Sequence, residues 1–134
     1  MAGTGRKNDD SALKLAVEAA RTAEEYNATD VLVLDLRDTS PVTDYFVICT
    51  GTSGRQMRTL TSELARRMKA RGERAWRRAG EESAQWIVVD FVDVIVHIFD
   101  EYHRRFYDLE LIWGEAPRVD WSRQRSPETG ESDS

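Results

Sequence analysis

The side chains able to do chemistry are few. His97 and His103 are the only histidines, and neither has a second His or Cys at a metal-ligand spacing. No metal site is expected. His97 shares a strand face with Ile95 and Phe99, so a buried structural histidine is the default reading and a partner contact the second. Cys49 stands alone in an apolar run with no basic neighbour to lower its pKa, which predicts an inert thiol. One cysteine excludes a disulfide framework and fits a reducing cytoplasm. Ser, His and Asp all occur, but a nucleophile elbow does not. Gly51-Thr52-Ser53-Gly54 joins a strand to a helix start, a place where backbone N–H groups can cradle phosphate. It lacks a P-loop lysine and the spacing of a dinucleotide fingerprint, so a turn plus a cap is the default.

A strand, a Gly-Thr/Ser turn and a helix also occur in nucleotidyltransferases, which hold two metal ions on alternate carboxylates of a neighbouring strand. Here the next strand candidate offers only Glu73-Arg74-Ala75-Trp76, and Asp90 and Asp93 are separated by a turn. The carboxylate pair is missing, so no catalytic residue and no cofactor is assigned. A net charge of −5 over 134 residues argues against wholesale coating of nucleic acid. The charge is uneven, however. Arg66, Arg67, Lys69, Arg71, Arg74, Arg77 and Arg78 form a basic run, read either as a solvated face or as a contact to the phosphates of a large RNA-containing partner. Trp86 and Phe91 flank a hairpin turn beside Asp90 and Asp93, where burial is hard to complete. Core and protein-interface readings are evenly balanced for them.

The elements that position these groups follow from periodicity. Residues 1–10 read as a flexible arm, 11–113 as one domain and 114–134 as a disordered tail rich in Ser, Glu and Arg. No apolar run reaches the ~18 residues of a membrane span, and the N-terminus has no apolar signal core. A first helix is expected over Ser11–Tyr26, with Leu13, Ala16, Val17 and Ala20 inward. Val31–Leu36 reads as a central strand, its continuous apolar run implying burial on both faces. Tyr45–Thr50 is a second strand. Ser53 and Gln56 form a capping box for a helix that buries Met57, Leu60, Leu64 and Met68 and stops at Gly72. Glu73–Trp76 is a candidate edge strand, followed by a charged loop over Arg77–Ser83. Trp86–Val89 and Val94–Phe99 form an antiparallel hairpin. Tyr102, Phe106, Leu109 and Trp113 then mark one face of a last helix, with Asp100 as its cap. The order predicts an α/β domain with a mixed, partly parallel sheet flanked by helices.

Five motifs stand in order along the chain: Val42-Thr43-Asp44-Tyr45-Phe46-Val47-Ile48, Thr50-Gly51-Thr52-Ser53-Gly54-Arg55-Gln56, Trp86-Ile87-Val88-Val89-Asp90, Asp93-Val94-Ile95-Val96-His97-Ile98-Phe99, and Arg105-Phe106-Tyr107-Asp108-Leu109-Glu110-Leu111-Ile112-Trp113. Together they resemble the ribosomal silencing factor (RsfS, Iojap-related) family. The resemblance implies a nucleotidyltransferase-like fold without its catalytic site, and a cytoplasmic binding protein rather than an enzyme. It implies binding to the large ribosomal subunit through that subunit's ribosomal protein fourteen, a block on joining of the small subunit, and a homodimer when free. Trp86, Asp90, Phe91, Asp93 and His97 are the implied partner-binding residues. Arg66, Arg67, Lys69 and Arg71 are the candidates for a peripheral rRNA contact. The rival readings are a nucleotidyltransferase-like enzyme and an RNA-binding ribosome-assembly module. The family usually has Gly at position 92. Valine resists positive φ, so another turn geometry is expected here.

Overall fold

The computed structural model describes residues 9–108 and 113–124. Helix α1 (Asp9–Glu25) leads into strands β1 (Thr29–Asp35) and β2 (Tyr45–Thr50), then helix α2 (Gly54–Ala70). Strands β3 (Arg77–Ala79), β4 (Trp86–Asp90) and β5 (Val94–Phe99) follow, then a short helix α3 (Glu101–Tyr107) and strand β6 (Arg118–Val119), with a 3-10 turn over Trp121–Gln124. The strands form one sheet in the order β3-β4-β5-β2-β1-β6. Only β2 and β5 are parallel, pairing Tyr45 with Val94 through Thr50 with Phe99. The other pairings are antiparallel. This is the mixed, partly parallel sheet flanked by helices that the pattern predicts.

Strand alternation divides the side chains between two faces. Val33, Tyr45, Val47, Cys49, Ile87, Val89, Val94, Val96 and Ile98 pack with the helices. Against them α1 presents a stripe of small residues, including Ala12, Ala16, Ala19, Ala20 and Ala23, which lets its backbone lie close to the sheet. Met57, Leu60, Leu64 and Met68 of α2 complete this core, all at 0% exposure. Both helices stop in the same way. Asn27 has φ 70° and Gly72 φ +89°. The amides of Ala28 and Glu73 reach back to the carbonyls of Ala23 and Met68, while those of Asn27 and Gly72 bond Glu24 and Lys69. That is the Schellman arrangement.

Four expectations need correction. β1 is buried on both faces as its sequence implies, yet it is next to the sheet edge, not central. Its second face is covered by the C-terminal segment, so the apolar run reports that cover. The edge strand lies at Arg77–Ala79, within the expected loop, because Glu73 is held by the helix stop and pairing begins only where Arg77 meets Asp90. The last helix ends at Tyr107, where Asp108 takes a left-handed conformation, and none of its residues is buried. Its Tyr102 and Phe106 stripe faces outward, Leu109 lies outside the described residues, and Trp113 sits in a later turn. The tail, expected to be disordered from residue 114, is ordered through 124. Arg118 and Val119 pair with Leu34 and Val33, and Trp121 Nε1 donates to Val31 O at 3.2 Å. Residues 125–134 and most of the expected N-terminal arm lie outside the described residues.

The hairpin turn is a further correction. Val92 does adopt positive φ, at 77°. Asp93 N donates to Phe91 O, which makes Val92 the centre of a γ-turn of the rare strained sense. Asp90 Oδ1 holds the conformation by accepting from Val92 N at 2.7 Å. The turn thus holds a β-branched residue at positive φ, against the expectation that valine would impose another geometry. Replacing Val92 by Gly should therefore raise stability by about 1 kcal/mol, the strain relieved exceeding the extra freedom of the unfolded chain. A lower urea midpoint for that variant would contradict the strain assignment. Trp121→Ala should cost roughly 2 kcal/mol by loss of packing on α1 and β1. A tail with no structural role would give no change in the same melt.

Candidate binding surface

The sheet face away from α1 and α2 carries Leu32, Leu34, Leu36, Phe46, Ile48, Trp86 and Phe99. From outside the sheet, Trp113 and Ala116 of the C-terminal segment join this cluster. The rings lie in one chain. Phe46 meets His97 at 4.4 Å and Trp113 at 5.7 Å. Trp86 stacks on Phe99 at 5.0 Å and meets Tyr107 of α3 at 4.6 Å. Trp86 is half-buried and Tyr107 is 40% exposed, so this end of the cluster reaches solvent. Sequence reasoning missed Phe46 and left Tyr107 evenly balanced between core and interface. The alternation of Phe46 and Ile48 along β2 was the available signal for the first.

His97 is the polar centre of this face. Trp86 Nε1 donates to its Nδ1 at 3.1 Å, which places the ring proton on Nε2. Nε2 is buried and has no hydrogen-bond partner among the described residues. Burial pushes the imidazole pKa down to about 4. Protonation would place a hydrogen on the atom that accepts from Trp86, so the neutral ring and the indole hydrogen bond stand or fall together.

The five residues singled out in the sequence divide into groups. Trp86 lies at the far end of β4 from the turn, opposite Phe99, rather than beside it. His97 pairs with Val88 in the middle of the hairpin. Asp90 and Asp93 sit at the turn, about 13 Å along the strand from Trp86. Phe91 points into the helix-side core at 4% exposure, so it is not a surface aromatic. Trp86, Asp90 and His97 occupy the same face by register, while Phe91 occupies the other.

The strand–helix turn is satisfied internally. Gly51 N donates to Phe99 O, Thr52 N to Gln56 Oε1 and Gln56 N to Ser53 Oγ. Gln56 Nε2 bonds Tyr26 O at 2.6 Å, tying the cap to the end of α1. A Cβ at Gly51 would lie 2.1 Å from Met57 Cγ, so the glycine is required by close packing. The adjoining cleft of ≈ 540 Å³ is lined partly by Asp30, Asp100 and Glu101, a charge unsuited to phosphate. Among the described residues no group of three or more His, Cys, Asp or Glu side chains could hold a metal ion. Burial pushes the Cys49 thiol up to about 12, which makes it unreactive at neutral pH.

Most of the basic run on α2 is already paired. Arg66 and Arg67 both hold Glu63, Arg67 also pairs with Glu25 at 2.8 Å, and Arg71 lies 3.6 Å from Glu18. The two guanidiniums hold the Glu63 carboxyl down at about 2. Of the four expected rRNA contacts, Lys69 alone has no ion pair among the described residues.

Fold and surface together describe a mixed α/β domain with one helix-covered sheet face and one aromatic face that reaches solvent. The family model for "Ribosomal silencing factor during starvation" (RsfS) matches residues 9–134. The ribosomal silencing factor RsfS of Bacillus subtilis is 37% identical over 113 residues, covering 84% of this chain and 93% of that protein. Two crystal structures are similar. A Chromobacterium violaceum protein has a TM-score of 0.70 at 31% identity, covering 78% of this chain and 85% of that one. A Bacillus halodurans protein has a TM-score of 0.69 at 33% identity, covering 83% and 98%. The chain belongs to the RsfS family of ribosomal silencing factors, a family of ribosome-associated translation regulators. No described helix is long and apolar enough to cross a membrane.

The His97 environment sets a pH dependence. Its folded pKa of about 4 lies below the ordinary value of 6.5, so the unfolded chain binds more protons between the two. Stability should be full above about pH 6.5 and fall by up to roughly 3 kcal/mol as pH drops toward 4. His97→Phe should flatten that window in denaturant melts. An unchanged slope would show that the imidazole does not titrate there.

Proposed function

We propose that this chain represses translation by binding the large ribosomal subunit through its ribosomal protein fourteen and standing where the small subunit must dock. The mechanism is steric, with no bond made or broken, and its setting is the cytoplasm. The observation that carries the reading is the second sheet face, whose aromatic chain ends at a solvent-reaching Trp86 and Tyr107. Half-buried aromatics on a rigid sheet supply contact area at little entropic cost. Trp86 is the proposed anchor, and Asp90 and Asp93 the rim charges that pair with basic groups of the ribosomal protein. His97 acts from beneath, fixing the indole through its Nδ1. Phe91 supports the turn from the core. For the free chain we propose a homodimer, with exposed Tyr102 and Phe106 as apolar area available to it.

The test is sedimentation with purified large subunits. Wild-type chain should travel with the subunit and reduce formation of joined ribosomes when small subunits are added. Trp86→Ala should stay folded by circular dichroism yet bind at least tenfold more weakly, as loss of an interface anchor implies. If that variant sediments and blocks joining as wild type does, the anchor assignment fails. If wild type binds but joining is normal, the steric mechanism fails.

A further inference from the structure

The far sheet edge carries a feature that the aromatic face does not explain. Trp76 is 71% exposed, the largest aromatic side chain given to solvent among the described residues. It sits at a bend just before β3, its backbone N–H fixed to Asp90 O at 2.7 Å. Ala75 beside it packs on the helix-side core, which anchors the segment. Arg74 and Arg77 flank it and are exposed. Neither has an ion-pair partner among the described residues, unlike Arg66, Arg67, Arg71 and Arg78, which hold carboxylates. The segment is thus an exposed indole between two uncommitted guanidiniums on a fixed backbone.

We infer that Arg74, Trp76 and Arg77 form a contact site for single-stranded RNA, with a base stacked on the indole and adjacent phosphates held by the guanidiniums. The partner class follows from the chemistry. An unpaired guanidinium is weakly hydrated and matches phosphate in two-pronged geometry. An open indole face stacks any base without needing its edges. Accessible, unstacked bases are what RNA-binding proteins read. The net charge of −5 makes such a site local. The nearest carboxylates by sequence and register are Glu73 beside Arg74 and Asp90 opposite Arg77, and neither forms an ion pair with them among the described residues. The inference rests on the ribosome-binding reading for its biological setting and moves the rRNA contact from the paired arginines of α2 to the β3 edge.

The test uses the full chain and fluorescein-labelled oligouridylate, with anisotropy read across a low-salt series. Wild type should bind, and Trp76→Ala should bind about tenfold more weakly, the loss of one stacked base. Trp76→Phe should retain most of the affinity. The Arg74→Ala/Arg77→Ala double variant should lower the slope of log affinity against log salt by about 1.4. No binding by wild type at low salt, or equal binding by all variants, overturns the site. Equal displacement by polyglutamate and by unlabelled oligouridylate also overturns it, because the site would then read negative charge alone and not a stacked base. Subunit sedimentation separates the two readings. Trp86→Ala should lose the subunit while keeping oligouridylate, and a wild-type failure to bind subunits would sink the ribosomal reading alone.

Discussion

Both faces of the β2–β5 pair are apolar, yet the helical layer covers only one. That asymmetry governs the rest of the structure. Val47, Cys49, Val96 and Ile98 meet α1 and α2, while Phe46, Ile48, His97 and Phe99 project to the other side. An apolar sheet face left in water is a strong driving force for contact. Here it is met in part by the chain itself. Trp113 and Ala116 cover one end, β6 pairs along β1, and Trp121 clamps the segment to Val31. The pairing also occupies an edge that would otherwise invite other strands. The end bearing Trp86 and Tyr107 is left open.

The open end is held rigidly. Trp86 is fixed at once by stacking on Phe99, contact with Tyr107 and a hydrogen bond to His97. A neutral, buried imidazole is therefore a positioning device: it sets the angle of the indole without adding charge to the face. The hairpin turn contributes a second constraint. Asp90 accepts from Val92 N, so the carboxylate proposed for the rim also maintains the γ-turn. Loss of Asp90 would act on shape as well as on charge, which makes it a poorer probe of electrostatics than Asp93. α3 is tied to the sheet by Arg104, whose Nη1 donates to Thr50 Oγ1 at 2.9 Å and Asp30 O at 3.0 Å. That strut keeps Tyr107 against Trp86.

Periodicity made most of the scaffold legible. The Met57, Leu60, Leu64 and Met68 stripe, the Ser53 cap and the Gly72 stop all follow from local chemistry, and local chemistry decides them. β2 and the hairpin were readable for the same reason. The errors fall where a distant segment decides. Nothing local to residues 114–124 announces a strand, because Arg118 and Val119 are ordered by the edge of β1. Sequence leaves Phe91 balanced between core and interface, because it does not say which way a strained turn throws its flanking residues; the structure puts it in the core. The positive φ at Val92 is the exception: it contradicts intrinsic preference and is held by a local contact, Asp90 accepting from the amide two residues on. The basic run looked available because Glu18 and Glu25 of α1, which neutralise Arg71 and Arg67, are far away in sequence.

The central claim is that the second sheet face, and not the helical layer, meets the ribosome. Hydroxyl-radical footprinting of the chain with and without large subunits tests it most directly. The account predicts reduced oxidation at Trp86 and Tyr107 in the complex, with Tyr26 beside the helices unchanged. Protection of Tyr26 with Trp86 and Tyr107 still oxidised would place the contact on the opposite side and contradict it.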